Sequence, residues 1–162
     1  MIKEIEIERL TIFSSKAIEQ VVAGIKAAVG KPNIADFWKS THATETYAEL
    51  ENTIKKVLGR TGFMLFAEFD HGAVVRKGTG LDIPKNFRLI IGNPLIMRRM
   101  VQHVPDAGSY APATILVDER SDGVHISYDR MTSFLVPYGN AETLKVARDL
   151  DAKIEALLAS VA

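Results

Sequence analysis

Glu68, Asp70 and His71 close a short apolar run in the stretch AEFDHG. On a regular strand, residues two apart share a face, which sets Glu68 and Asp70 about 6.5–7 Å apart. Carboxylates at that spacing could share a cation or divide acid and base roles. His71 points to the opposite face unless Gly72 bends the chain. The plainer and commoner reading is a strand end whose charges meet water. A second polar end lies at Gly92-Asn93-Pro94, where a strand turns directly into a helix. Such a start offers N–H groups and the positive end of the helix dipole to an anion, with Arg88 on the strand before and Arg98 and Arg99 beyond. Ordinary capping is again the commoner meaning. Tyr128 alternates with Val124 and Ile126, so it faces inward, and its hydroxyl needs a partner.

Other chemistries find little support. The chain has no Cys, which removes disulfides, thiolate nucleophiles and thiolate metal sites. No HExxH or comparable spacing suggests zinc, so neither a metal nor a cofactor is expected. Lys77-Gly78-Thr79-Gly80 lacks the spacing of a phosphate loop, and no Ser sits in a nucleophile-elbow pattern. His42 and His103 read as solvated. Lys plus Arg and Asp plus Glu number 20 each, which argues against broad binding to nucleic acid or an anionic membrane. Neither a signal peptide nor an apolar span is evident, so the cytoplasm is the default location.

These residues need elements to position them. Residues 2–13 read as a strand whose apolar parity switches from Ile5 and Ile7 to Leu10 and Ile12, with a bulge near Arg9. Ser14 and Ser15 cap a helix over 16–29, stopped by Gly30 and Pro32. Phe37 and Trp38 suggest a short helix within 33–45. Thr46 and Glu49 form a capping box for a helix burying Tyr47, Leu50, Ile54, Val57 and Leu58. Strands over 63–69 and 87–91 flank a glycine-rich loop, 72–86, with one helical turn as an alternative at Ala73–Arg76. Pro94 opens a helix whose Met97, Met100, Val101 and Val104 face the core. Strands 113–118 and 124–129 flank an Asp-Gly hairpin loop, and Asn140 caps a final helix over 141–159.

Taken together, AEFDHG, RLIIGNP, YAPATILV and HISYDR resemble, in order and spacing, the prokaryotic family catalogued as domain of unknown function 302. The resemblance is best over about residues 62–130. Its motif positions fall on Glu68, Asp70, His71, Gly92, Asn93, Pro94, Tyr110, Pro112 and Tyr128. Met131 stands where the family pattern leads us to expect Pro. The resemblance implies a compact α+β fold, often met as a dimer, and no established reaction, cofactor or substrate.

At 162 residues the expectation is one domain, 1–162. Within it lie a family-like core over about 47–130, a strand–helix extension over 1–45 and the closing helix. The expected fold is two-layer α+β: a mostly antiparallel sheet of about five strands with helices on one face. The expected site gathers Glu68, Asp70, His71, Arg88, Asn93 and Tyr128, with His71 close to Asn93. His71 is expected to be partly buried and hydrogen-bonded. This reads as a binding module for a small anionic or polar ligand. The alternatives are an enzyme using His71 with Glu68 or Asp70, or a dimeric interaction protein without catalysis. A homodimer is expected, because a single-face strand cannot bury both apolar sets of the N-terminal segment.

Overall fold

Alternating apolar residues along five segments build one antiparallel sheet. Its strands are β1 (Arg9–Ser14), β2 (Met64–Asp70), β3 (Asn86–Gly92), β4 (Ala113–Arg120) and β5 (Gly123–Asp129), in the order β1-β5-β4-β3-β2. The computed structural model describes residues 2–81 and 84–162. Leu89 and Ile91 of β3, Ile115 and Val117 of β4, and Val124, Ile126 and Tyr128 of β5 all point to one side and are buried. Four helices supply the rest of this core. They are α1 (Ile18–Ala28), α5 (Pro94–Val101), α6 (Met131–Leu135) and α7 (Ala141–Val161). The chain is therefore α+β with a five-stranded antiparallel sheet. Among the described residues no helix is long and apolar enough to cross a membrane.

The opposite sheet face carries Arg9, Thr11 and Phe13 of β1, Ser127 of β5, and Phe69 and Arg88 of β2 and β3. Phe13 and Phe69 are 54% and 46% exposed there. A two-sided pattern of this kind is ordinary for antiparallel sheets covered on one face only.

Two further helices, α2 (Ile34–His42) and α3 (Tyr47–Lys55), form an arm with its own small core. Phe37, Ile54 and Met64 fill it, with Leu50, Val57, Phe66 and Leu95 packed around them. The arm leaves and rejoins the body at one point. The N–H groups of Gly30 and Gly59 both donate to the Phe63 carbonyl, at 2.9 and 2.8 Å. Backbones can meet this closely only because neither residue has a side chain: a Cβ on Gly30 would lie 1.7 Å from the Val57 carbonyl oxygen. A bulge in β2 between Leu65 and Ala67 then lets Leu65 pack against the main core and Phe66 against the arm.

Several expected elements change. Residues 2–8 lie outside the sheet, and β1 runs in unbroken register with β5, so no bulge forms near Arg9. Ile7 is 46% exposed rather than part of a second buried set. The segment instead lies over the body, with the Lys3 ammonium 3.8 Å from the Tyr138 ring centre and Glu8 bonded to Arg130. The expected loop over 72–86 contains a helix, α4 (His71–Thr79), while residues 82 and 83 fall outside the described region. Asp70 caps α4 by accepting from the Ala73 N–H at 2.8 Å, and Gly80, with φ of 69°, ends it. Tyr47 is exposed, holding Arg98 over its ring instead of filling the core. The Thr46–Glu49 capping box, the Asn93–Pro94 helix start and the Asn140 cap form as expected.

The neck makes a stability prediction. Gly30→Ala should lose about 3 kcal/mol or more, because backbone rather than a flexible side chain occupies the space. Gly78→Ala, in α4 with open space around it, should gain about 0.5–1 kcal/mol. Urea unfolding of the two variants checks this. A Gly30→Ala protein as stable as the parent would show that the neck is not tight.

Candidate functional site

The two polar strand ends do not converge. In the antiparallel β2–β3 pair Asp70 lies opposite Phe87 and Gly92 lies opposite Met64. Asp70 and His71 therefore sit at one end of the sheet and Asn93 at the other, about 20 Å away along the strands. The expected proximity of His71 and Asn93 is overturned by strand direction.

Each residue of the expected site has its own local place. Glu68 ion-pairs with Lys26 of α1 at 2.5 Å. Asp70 is committed to capping α4, with Arg76 at 3.8 Å. His71 is exposed, its ring parallel to that of Phe69 with centres 6.0 Å apart, and among the described residues it has no hydrogen-bond partner. The expectation of a partly buried, hydrogen-bonded imidazole is thus corrected. Arg88 reaches Thr114 Oγ1 at 3.2 Å on the open sheet face. Glu68, Asp70 and His71 do not assemble into one acid–base group.

Asn93 is fully used as a cap. Its Nδ2 donates to the Gly62 carbonyl at 2.9 Å, and its Oδ1 accepts from the Leu95 N–H at 2.8 Å. The next two N–H groups, of Ile96 and Met97, donate to the Asn93 main-chain carbonyl. With Pro94 lacking an N–H, the first turn of α5 has no free donor to offer an anion.

Beside this capped turn lies a cavity of about 240 Å³. Its walls come from α2 (Trp38), the β2 bulge (Phe66), α5 (Met97, Met100), the segment before β4 (Pro112) and α6 (Met131). Gly92 forms part of the floor, where a Cβ would press to 2.9 Å from Pro112 Cβ. Among the described residues no charged side chain lines it, and its polar side-chain groups are the Asn93 amide and the Trp38 indole N–H. Of the expected site, then, the Gly92-Asn93-Pro94 end borders a cavity, but an apolar one. The aromatic and methionine positions that define it were read in the sequence only as core or as a tucked helix.

Tyr128 belongs to a structural network that sequence reasoning missed. Its hydroxyl donates to Asp151 Oδ1 at 2.6 Å and accepts from the Met131 N–H at 3.2 Å. Asp151, 3% exposed, also accepts from the N–H groups of Met131 and Thr132 at 2.8 and 3.1 Å, and from the Thr132 hydroxyl. The available signal was an Asp at 151, between Ala147 and Ile154 on the apolar stripe of α7. Among the described residues no three His, Asp or Glu side chains gather as a metal site would require.

A family model described as "Domain of unknown function DUF302" matches residues 38–161, so the chain belongs to that family. A similar solved structure is that of an uncharacterized conserved protein DUF302 from Bacillus stearothermophilus, at 14% identity. It aligns with a TM-score of 0.68 over 95% of this chain and 98% of that one, a likeness of fold. No protein with a curated description matches the sequence.

Burial, reinforced by the nearby Asp151 charge, raises the Tyr128 phenol above its ordinary pKa of about 10. Its stabilising contribution is fully present below the unfolded value. It is lost as pH climbs through the folded value, because the unfolded phenol ionises first. Tyr138 shifts in the same direction through its bond to Tyr110. Comparison with Tyr128→Phe isolates the first group: the parent should lose stability faster than the variant above about pH 10. Asp151→Ala should cost about 3–5 kcal/mol at neutral pH by stranding its donors. Denaturant titrations across pH check both. Parallel alkaline limbs for parent and Tyr128→Phe would contradict the first.

Proposed function

We propose that this member of the family is a binding domain for a small, neutral, predominantly apolar molecule held in the cavity beside Asn93. One observation carries the reading: an apolar space of about 240 Å³ bordered by a helix start whose N–H groups are already paired and, among the described residues, by no charged side chain. Binding is kept from the sequence reading, but the ligand chemistry changes from anionic or polar to apolar. A small apolar cavity of about 150 Å³ takes benzene, which scales to about ten non-hydrogen atoms here. At about −0.6 kcal/mol per non-hydrogen atom, between the limits for the smallest and for drug-sized ligands, this corresponds to dissociation constants on the order of 10–100 μM. Catalysis has less support, since Glu68, Asp70 and His71 are dispersed from the cavity and engaged elsewhere or solvent-facing.

The chain carries its own reporters. Of its five methionines, Met97, Met100 and Met131 line the cavity, while Met64 belongs to the arm's core. With methyl-labelled methionine, titration with small neutral apolar probes should shift the three cavity methyls saturably and Met64 far less. Ala113→Leu, which adds bulk to the cavity wall, should weaken these shifts at least about tenfold while the fold is retained. Shifts spread evenly over all methionines, or none up to the solubility limit, would remove the proposal.

A second reading, self-association, is favoured by the exposed Phe13 and Phe69 on the open sheet face, flanked by Arg9, Asp129 and Arg88. A face carrying both apolar groups and both signs of charge suits an isologous pair. Sedimentation equilibrium should then give twice the chain mass, reduced to the single mass by Phe13→Asp. A single-chain mass at every concentration would dismiss this reading.

A further inference from the structure

The proposed binding reading leaves open which apolar molecules fit, and the cavity walls narrow the choice. Two of them are aromatic: Trp38 and Phe66 have ring centres 6.3 Å apart and planes inclined at 36°. Behind Trp38 lies His42, with ring centres again 6.3 Å apart and planes at 25°. Trp38 thus packs against both His42 and Phe66, and Trp38 and Phe66 both line the cavity. Trp38 is 41% exposed and stands on the arm, whose attachment to the body is the glycine neck, so its ring lies at the mouth rather than in the main core. Met97, Met100 and Met131, which line the same cavity, present flexible thioether chains, which adapt to shape and make favourable contacts with aromatic edges. A saturated molecule would gain burial alone. A flat one would gain burial, stacking on Trp38 or Phe66, and sulfur contacts at its rim. Among the described residues no charged group lines the walls, which disfavours a charged ring as occupant.

We propose that the cavity selects neutral planar aromatic molecules of about two fused rings, which pack against Trp38 and Phe66; this rests on the binding reading above. Matched probes separate the two claims. 2-Naphthol and its saturated counterpart decahydro-2-naphthol have the same carbon skeleton and the same single hydroxyl. Their affinities can be read from the methyl shifts of Met97, Met100 and Met131. The parent should bind the aromatic probe about tenfold more tightly. Trp38→Leu, at a part-exposed position, should keep the fold and bring that ratio to about threefold or below. Phe66→Leu should act in the same direction. Equal affinity for the two probes in the parent would overturn the aromatic selection and leave an apolar pocket. Selectivity unchanged by both substitutions would overturn the role of the two rings. If neither probe shifts the cavity methyls, this inference falls together with the binding reading.

Discussion

The buried carboxylate of Asp151 fixes more of this molecule than any other single group. A charge at that depth is tolerable only if its oxygens are saturated with donors, and here they come from Tyr128, Met131 and Thr132. The donors lie at the end of β5 and the start of α6, while the acceptor lies on α7. The network therefore sets how the long C-terminal helix lies on the sheet and where the chain turns after Asp129. It also requires an N–H at position 131. Proline, expected there from the family pattern, could not make the 2.8 Å bond that Met131 gives to Asp151. Once its backbone is held, the Met131 side chain is buried and forms a cavity wall. A polar network thus positions an apolar surface.

The cavity lies where two cores fail to merge. The main core is built by the sheet with α1, α5, α6 and α7; the smaller one belongs to α2, α3 and the start of β2. Their separation follows from the neck, where Gly30 and Gly59 pin both ends of the arm to one carbonyl. The β2 bulge sends Leu65 to one core and Phe66 to the other. Close packing is achieved within each core, and the seam between them is bridged by long, flexible or flat side chains. Methionines tolerate an imperfect seam better than branched residues, having three rotatable bonds and no fixed shape.

The apolar patterns and caps were readable from the chain, because period and punctuation are local. Thr46 with Glu49, Asn93 with Pro94, and Asn140 each mark a helix start that forms. The inward face of Tyr128 was equally legible from its alternation with Ile126. The sheet as a whole read as mostly antiparallel, but the direction of the β2–β3 pair was not legible. Nothing in the runs 63–69 and 87–91 states whether they are parallel or antiparallel, and that choice alone decides whether Asp70 and Asn93 are neighbours or opposites. Helix α4 was legible only as a single turn at Ala73–Arg76, because Gly72, Gly78 and Gly80 read as breakers, whereas only Gly80 ends it and Asp70 is its cap. The cavity was illegible for a different reason. Trp38, Phe66 and Met131 are far apart in sequence, and a void is a property of how surfaces miss each other.

The capped start of α5 borders the cavity, so the apolar walls include the positive end of a helix dipole. Asn93 satisfies the Leu95, Ile96 and Met97 N–H groups locally, yet the peptide dipoles of the helix still add toward Pro94. A fully charged anion gains little from that residual field, since its desolvation is uncompensated where no free donor remains. A neutral ring gives up no such hydration. Its faces carry the negative part of the quadrupole, so a ring that turned its face toward the helix end would be weakly favoured without a hydrogen bond. The helix end that the sequence suggested for an anion has spent its donors, which is why the proposed occupant is a neutral ring instead. The distinction rests on which N–H groups are already paired, a matter of one asparagine side chain and one carbonyl.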